Sequence, residues 1–328
     1  MELRTKVHIN PSPKKITYNG GAMFIGSCFA SSIGSKLEAG KIPAIINPAG
    51  SVYNPVSVCN TLDTIISGRD FLQNDLYNYK GTWLSFHHYT DFSSYNPIEV
   101  LEKINAKSKI AFSFLKKAGF LFITLGTARV YRLKETGQIV SNCHKMPASF
   151  FEPEILTVDE IVELWTQQLD KLQKLFPQLN VIFTVSPVRH WKDGAHGNQV
   201  SKSVLLLAVE KLISHQSAPA YFPAYEIVMD ELRDYRFYSD DMLHPSSLAI
   251  NYIWDCFSGS YLENKTLDLY NEVLKISKAC THRINKGSEA GIKDFVSSMQ
   301  KKISDLESKA PGIDFSSEKK YFQDLLNF

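Results

Sequence analysis

The stretch Ala22-Met23-Phe24-Ile25-Gly26-Ser27-Cys28-Phe29-Ala30 decides the fold. Its first four residues are an apolar run, too short for a helix and stopped by glycine, which reads as a strand buried on both faces. Beyond the glycine the period changes. Phe29, Ile33 and Leu37 recur every four residues and Gly40 follows, the pattern of an amphipathic helix with a glycine stop. A buried strand that runs straight into a helix is the first half of a β-α-β unit.

The alternation continues outward. Residues 42–46 supply a second short strand, and Asn54-Pro55 reads as an N-cap followed by proline at the first helical position, with Val58, Leu62 and Ile65 on one face up to Gly68. Residues 70–95 are rich in Tyr, Asn, Ser and Trp without a helical period, and read as an irregular excursion carrying His87 and His88. Asn96-Pro97 opens a helix running to Gly119, residues 120–125 form the third core strand, and VYRL and QIVS flank the turn-like Lys134-Glu135-Thr136-Gly137 of a small hairpin. Thr157 and Glu160 have capping-box spacing ahead of Ile161, Leu164, Trp165, Leu169 and Leu172, and Pro177 ends that helix. Residues 181–185 are the fourth strand. A loop with Arg189, His190, Trp191 and His196 leads to a helical stretch over 199–214, and 218–222 forms a short fifth strand.

Strands alternating with helices imply parallel pairing through right-handed crossovers, hence an α/β fold with a doubly wound parallel sheet in three α/β/α layers. From about residue 262 the composition shifts to lysine, serine and glutamate at helical spacing, with a Pro311-Gly312 break. This predicts a main domain over 1–261 and a C-terminal helical extension over 262–328. The extension offers no obvious chemistry and could serve as a homo-oligomer contact.

The bulk composition excludes several classes of function. The 328 residues carry 36 basic and 34 acidic side chains, a net charge of +2, with no broad positive field to hold a nucleic acid backbone. At 44% apolar and 21% charged the chain is globular. Five widely spaced cysteines suit free thiols, the first twenty residues lack a signal-peptide apolar run, and no segment reaches the ~18 apolar residues of a membrane span. Cytoplasmic residence with no membrane partner is the expectation. His87, His88, His144, His190 and His196 show no tight metal-ligand spacing, so no metal and no cofactor is expected.

In a doubly wound sheet ligands gather at the carboxyl ends of the strands, beside helix N-termini. Ser27 stands there. A serine hydroxyl needs a base and a carboxylate to orient that base, and Asp241-Met242-Leu243-His244 offers both on one tight turn. The same positions have plainer uses: Ser27 as a helix N-cap, and the acidic pair Asp240 and Asp241 ahead of His244-Pro245 as a helix start. Cys28 is a rival nucleophile, but adjacent residues entering a helix point about 100° apart, so only one of the two can face the base. Trp83, Tyr89 and Trp191 could form a platform for a sugar ring or an acyl group.

The run GSCFA at 26–30 resembles the signature of the GSCFA domain family, a branch of the SGNH (GDSL-like) hydrolases with a flavodoxin-like fold. Asn47-Pro48-Ala49-Gly50, Tyr53-Asn54-Pro55, Asn142-Cys143-His144-Lys145, Thr184-Val185-Ser186-Pro187-Val188-Arg189-His190 and Arg236-Phe237-Tyr238 ahead of DDMLHPS are similar to that family too, in the right order over roughly 5–260. The resemblance implies a serine hydrolase of acyl esters; the small loops and the aromatic content favour a short acyl chain, such as acetate on a glycan or metabolite, as the substrate. Ser27, Asp241 and His244 would be the triad, and the N–H groups at Cys28 and Gly50 an oxyanion hole. His144, Arg189 and His190, each in a family-like motif, would line the cleft. The superfamily's third block, Gly-x-Asn, is Gly126-Thr127-Ala128 here, and loss of one oxyanion donor can cost roughly 3 to 4 kcal/mol. Asn54 is the first candidate to replace it, then Asn142 or the Thr127 hydroxyl. Acyl transfer by the same triad, or a non-catalytic carbohydrate-binding module, are the alternatives.

Overall fold

The computed structural model describes residues 4–281 and 289–326. It opens with β1 (Ala22–Gly26), all five residues buried, and α1 (Cys28–Ala39), whose N-cap is Ser27 and whose C-cap is Gly40. Next come β2 (Ala44–Ile46) and α2 (Pro55–Ser67), capped by the Asn54 side chain and ended by Gly68 in the left-handed region. The hairpin β3 (Tyr77–Tyr79) and β4 (Thr82–Leu84) precedes α3 (Pro97–Leu115) and the buried β5 (Phe120–Leu125). Three short strands follow, β6 (Arg129–Leu133), β7 (Ile139–Val140) and β8 (Phe151–Ile155), then α4 (Val158–Leu175) with the Thr157–Glu160 capping box. The main domain closes with β9 (Asn180–Val185), α5 (Gly194–Leu212), β10 (Ala220–Tyr221), the single turn α6 (Ala224–Glu226) and α7 (Ser247–Tyr261). The extension contains α8 (Asn264–Thr281), α9 (Glu289–Lys309) and α10 (Ser316–Leu325).

The central sheet is five-stranded and parallel, in the order β10-β9-β5-β1-β2. In sequence order of its own strands this is 2-1-3-4-5, a doubly wound arrangement whose direction of winding reverses between β1 and β5, where such sheets place their crevice. Alternate strand residues enter two separate cores. Met23, Ile25, Leu121, Ile123 and Phe183 pack with α2, α4 and α5 on one face, while Phe24, Phe120, Phe122 and Ile182 pack with α1 and α7 on the other. Helices thus cover both faces, as the alternation of apolar segments implies.

Three local differences from the sequence expectation have physical causes. The stretch over 70–95 contains the β3–β4 hairpin, whose two-residue turn Lys80-Gly81 has φ +52° and +85°; lysine in the first left-handed position hides the turn. β8 extends the expected β6–β7 hairpin to a three-stranded sheet, and its Pro153 is tolerated because the strand lies at an edge. α5 begins at Gly194, ahead of 199, because its polar, glycine-containing first turn has no apolar stripe. The hairpin and the three-stranded sheet share a small core of Leu84, Phe86, Leu133, Val140, Met146 and Phe151.

The extension has its own core, including Val273, Val296, Ile303, Phe315 and Phe322. It docks on the end of α1. The Tyr270 ring lies against Gly40, where an added Cβ would come within 1.9 Å of it, and Lys41 pairs with Glu318 at 3.0 Å. Among the described residues no helix is long and apolar enough to cross a membrane, and all five cysteines are unpaired.

Gly26 carries the sharpest backbone demand. Its φ is +149°, and a Cβ there would stand 2.2 Å from the Thr124 carbonyl oxygen on the neighbouring strand. Gly26→Ala is expected to lower unfolding free energy by about 3 kcal/mol through strain and overpacking. Urea unfolding checks this, and a change below about 0.5 kcal/mol would contradict it.

Candidate active site

Ser27 closes β1 and caps α1 with extended backbone (φ −70°, ψ 174°), its Oγ accepting the Phe29 N–H at 3.2 Å. Asn47, just past β2, holds the junction. Its backbone N–H donates to the Phe24 carbonyl at 2.8 Å, and its Oδ1 accepts the Gly26 N–H at 2.8 Å. Its Nδ2 donates to Ser31 Oγ at 2.9 Å and, more weakly, to the Ser27 carbonyl at 3.5 Å. Asn47 does this at φ +45°, a conformation asparagine adopts more readily than most residues.

Ser27 as a whole is only 3% exposed, and its hydroxyl donates to Ser186 Oγ at 3.0 Å. Ser186 follows β9, is fully buried, and also accepts the Val188 N–H at 3.3 Å. Its carbonyl accepts from Lys202 Nζ at 2.6 Å, and the same ammonium donates to the Gly126 carbonyl at 2.6 Å. Lys202 is 1% exposed, and burial pushes its pKa down to about 7.

Asp241 and His244 form a pair on the loop before α7. His244 Nδ1 lies 2.6 Å from Asp241 Oδ2, while Asp241 Oδ1 accepts the backbone N–H groups of Leu243 and His244 at 2.8 and 2.9 Å. Those N–H groups, then the imidazole, hold the Asp241 carboxyl down to about 2. The pair is about half exposed, and Nε2 of His244 has no hydrogen-bond partner among the described residues. Arg189 clasps this loop: its N–H donates to the Leu243 carbonyl at 3.3 Å, its guanidinium donates to the Met242 carbonyl, and that guanidinium lies 5.0 Å from the ring centres of both Trp191 and Tyr238. The charges of Asp241 and Lys202 both act on the Cys28 thiol, so the loop and the buried lysine lie within electrostatic range of the α1 N-terminus.

No described hydrogen bond joins Ser27 to His244; in this state the serine proton faces Ser186. The neighbouring cleft is lined by Tyr53, Arg129, Tyr131, Asn142, His190 and Lys192, among others, and not by Ser27. The His190 ring lies tilted against Tyr53 with ring centres 5.1 Å apart, and burial, then the charges of Lys202 and His244, push its pKa down to about 4. It is the neutral wall between cleft and loop.

Several expected roles meet other bonds. The Gly50 N–H donates to the Asn47 carbonyl at 2.7 Å, so it closes a turn and is not free for an oxyanion. The Asn54 side chain accepts from Ser57 N and donates to Ser57 Oγ, both at 2.8 Å, as a helix cap. The Thr127 hydroxyl is bonded to Ser201 Oγ at 2.9 Å, and Ala128 is fully buried, its N–H on the same serine. His144 does not line the cleft; its ring nitrogens meet the Ser85 carbonyl at 2.9 Å and Ser93 Oγ at 3.4 Å, tying the two excursions together. Asn142 and His190 do line the cleft; Arg189 does not, and its side chain is engaged on the Asp241–His244 loop instead. The Cys28 N–H, at the first helical position, has no partner within the helix by geometry. Its thiol is raised by desolvation above all, which favours the neutral, less nucleophilic form.

The model of the GSCFA family matches residues 22–257, and that of the GSCFA domain protein C-terminal domain matches 273–327. The chain belongs to the GSCFA family. No curated protein matches it. The family's second model covers most of the helical extension, which the resemblance read from motifs alone left outside at about residue 260.

For this GSCFA protein, sequence reasoning missed Asn47 as a scaffold, Ser186 as the partner of Ser27, and Lys202. Asn47 and Ser186 stand in quoted motifs, so the signal was present without a role. Lys202 gave none, since a lone lysine in a helix reads as solvent-facing. Among the described residues no group of three or more His, Cys, Asp or Glu could hold a metal.

His88 and His190 set an expected pH dependence of stability. Burial pushes His88 down to about 3, as it does His190 to about 4, against roughly 6.5 in the unfolded chain. Between those values the unfolded state binds protons that the folded state refuses, so the stability these two histidines contribute is full above pH 6.5 and falls as pH drops. Between pH 7 and 5 the loss should be on the order of 3 kcal/mol. Urea midpoints across that range check it; a flat profile would contradict the assignment.

Proposed function

We propose that this GSCFA protein is a serine hydrolase of the flavodoxin-like SGNH type, acting on short-chain acyl esters of a small molecule or glycan in the cytoplasm. Ser27 is the nucleophile, His244 the general base and Asp241 the carboxylate that orients it. The observation that carries this reading is the Asp241–His244 pair on a loop clasped by Arg189 beside the Ser27 junction. On this reading Asp241 stays ionised and accepts the Nδ1 proton, which leaves Nε2, without a hydrogen-bond partner among the described residues, to take the serine proton. Substrate binding must turn the Ser27 hydroxyl from Ser186 toward that nitrogen, since catalytic hydrogen bonds often align only in the complex. As Oγ attacks the acyl carbonyl, the proton passes to His244; it then protonates the departing alcohol, and water or a second alcohol releases the acyl group. The Cys28 N–H at the helix start faces the developing oxyanion.

The burial of Ser27 and its bond to Ser186 favour a second reading, a carbohydrate-binding module that has kept the sheet without turnover. Hydrolysis of p-nitrophenyl acetate and longer esters separates the two. The hydrolase reading expects acetate to be preferred, and Ser27→Ala and His244→Ala each to lower kcat/KM by about 10³-fold or more. Turnover unchanged from wild type in both variants would remove the mechanism, and no turnover beside glycan binding would favour the module.

A further inference from the structure

The donors that a serine hydrolase would aim at its oxyanion are largely committed elsewhere in this chain. The Gly50 N–H, the Asn54 amide and the Thr127 hydroxyl all have other partners, and Ala128 offers no side-chain donor. One source of positive charge lies beneath the Ser27 junction instead. Lys202 projects from α5 to the ends of β5 and β9, where it binds the Gly126 and Ser186 carbonyls at 2.6 Å each. Ser186 is the residue whose hydroxyl receives the Ser27 proton bond.

Burying an ammonium is costly, and two carbonyls could be joined by far cheaper means. A neutral clip would serve stability better, so a charge kept at this point has a use that depends on its sign. Among the described residues no carboxylate pairs with it. The groups facing it are the Cys28 thiol at the start of α1, His190 on the loop after β9, and the Tyr225 ring of α6 at 5.8 Å.

We infer that Lys202 is an electrostatic positioning residue for the Ser27 reaction: its buried ammonium holds the Ser186 backbone beside Ser27 and stabilises the negative charge that develops on the acyl oxygen as Ser27 attacks. It takes the place of the side-chain donor absent at Ala128, acting through Ser186 and through space without touching substrate. A fixed cation in a site sealed from water favours a nearby anion strongly, since little solvent screens it. The inference rests on the reading of Ser27 as nucleophile.

The test measures the second-order rate of labelling by an alkyl fluorophosphonate, in which Ser27 Oγ bonds to phosphorus and fluoride leaves, from pH 6 to 9. In the wild-type protein the rate should decline above about pH 7 as Lys202 loses its proton. In Lys202→Met the rate at pH 6.5 should be about tenfold lower or less, with no decline on the alkaline side. A residue that only clips two strand ends would shift the rate without removing that alkaline limb. A limb that persists in Lys202→Met overturns the inference, as does a wild-type rate that does not decline from pH 7 to 9 while the protein stays folded. The second outcome decides even if the variant fails to fold. Wild-type labelling that is absent, or unaffected by Ser27→Ala, overturns the nucleophile reading itself and is distinguishable from both.

Discussion

The hydrogen bonds of Asn47 are the constraint on which the junction of β1 and α1 depends. A strand that ends in glycine and gives way at once to a helix leaves its last amide groups without ladder partners. Asn47 satisfies the Gly26 N–H with Oδ1 while its own N–H and C=O bond Phe24 and Gly50. Its Nδ2 reaches into the first turn of α1 at Ser31. One side chain therefore ties β2 to both sides of Ser27 and fixes where that hydroxyl points. Gly26 completes the constraint from the other side, since the Thr124 carbonyl leaves no room for a Cβ.

Around that fixed point the site divides into a rigid floor and an exposed arm. The floor is the buried Ser27, Ser186 and Lys202, with the half-buried, uncharged His190 beside them. The arm is the Asp241–His244 loop, half open to water and held at its backbone by Arg189. On the proposed reading, chemistry requires the two to meet through rotation of the Ser27 hydroxyl, a motion that breaks one neutral hydrogen bond worth on the order of 1 kcal/mol. Such a barrier is small beside what substrate binding can supply. On the same reading the cleft beside His190 would give the acyl ester its approach, with Tyr53 and Tyr131 as walls, Lys192 as a cation and Arg129 paired with Asp193.

What could be read from the sequence follows the range of the forces involved. The caps at Ser27, Asn54 and Thr157, the stops at Gly40 and Gly68, and the pairing of Asp241 with His244 are local, and all stand where the spacing put them. The edge strands β2 and β10 are only partly covered, but β1, β5 and β9 were legible as apolar runs because a doubly wound sheet buries both their faces. The tasks of single N–H groups were not. Gly50 and Asn54 were expected at an oxyanion and are engaged in a turn and a cap, because which donor is free depends on backbone paths more than on residue type. His144 was placed in the cleft by its motif, and the fold uses it to join two excursions. Lys202 escaped notice because its burial arises from contacts 16 and 76 residues away in sequence.

The central claim is that Ser27 leaves Ser186 for His244 when an acyl group arrives. A crystal structure of the protein after reaction with a fluorophosphonate tests it most directly. The account expects phosphorus bonded to Ser27 Oγ, with His244 Nε2 within hydrogen-bond reach of an adduct oxygen and the Ser186 hydroxyl turned to the adduct. Phosphorus on Cys28 Sγ, or Ser27 unmodified and still bonded to Ser186, would contradict it.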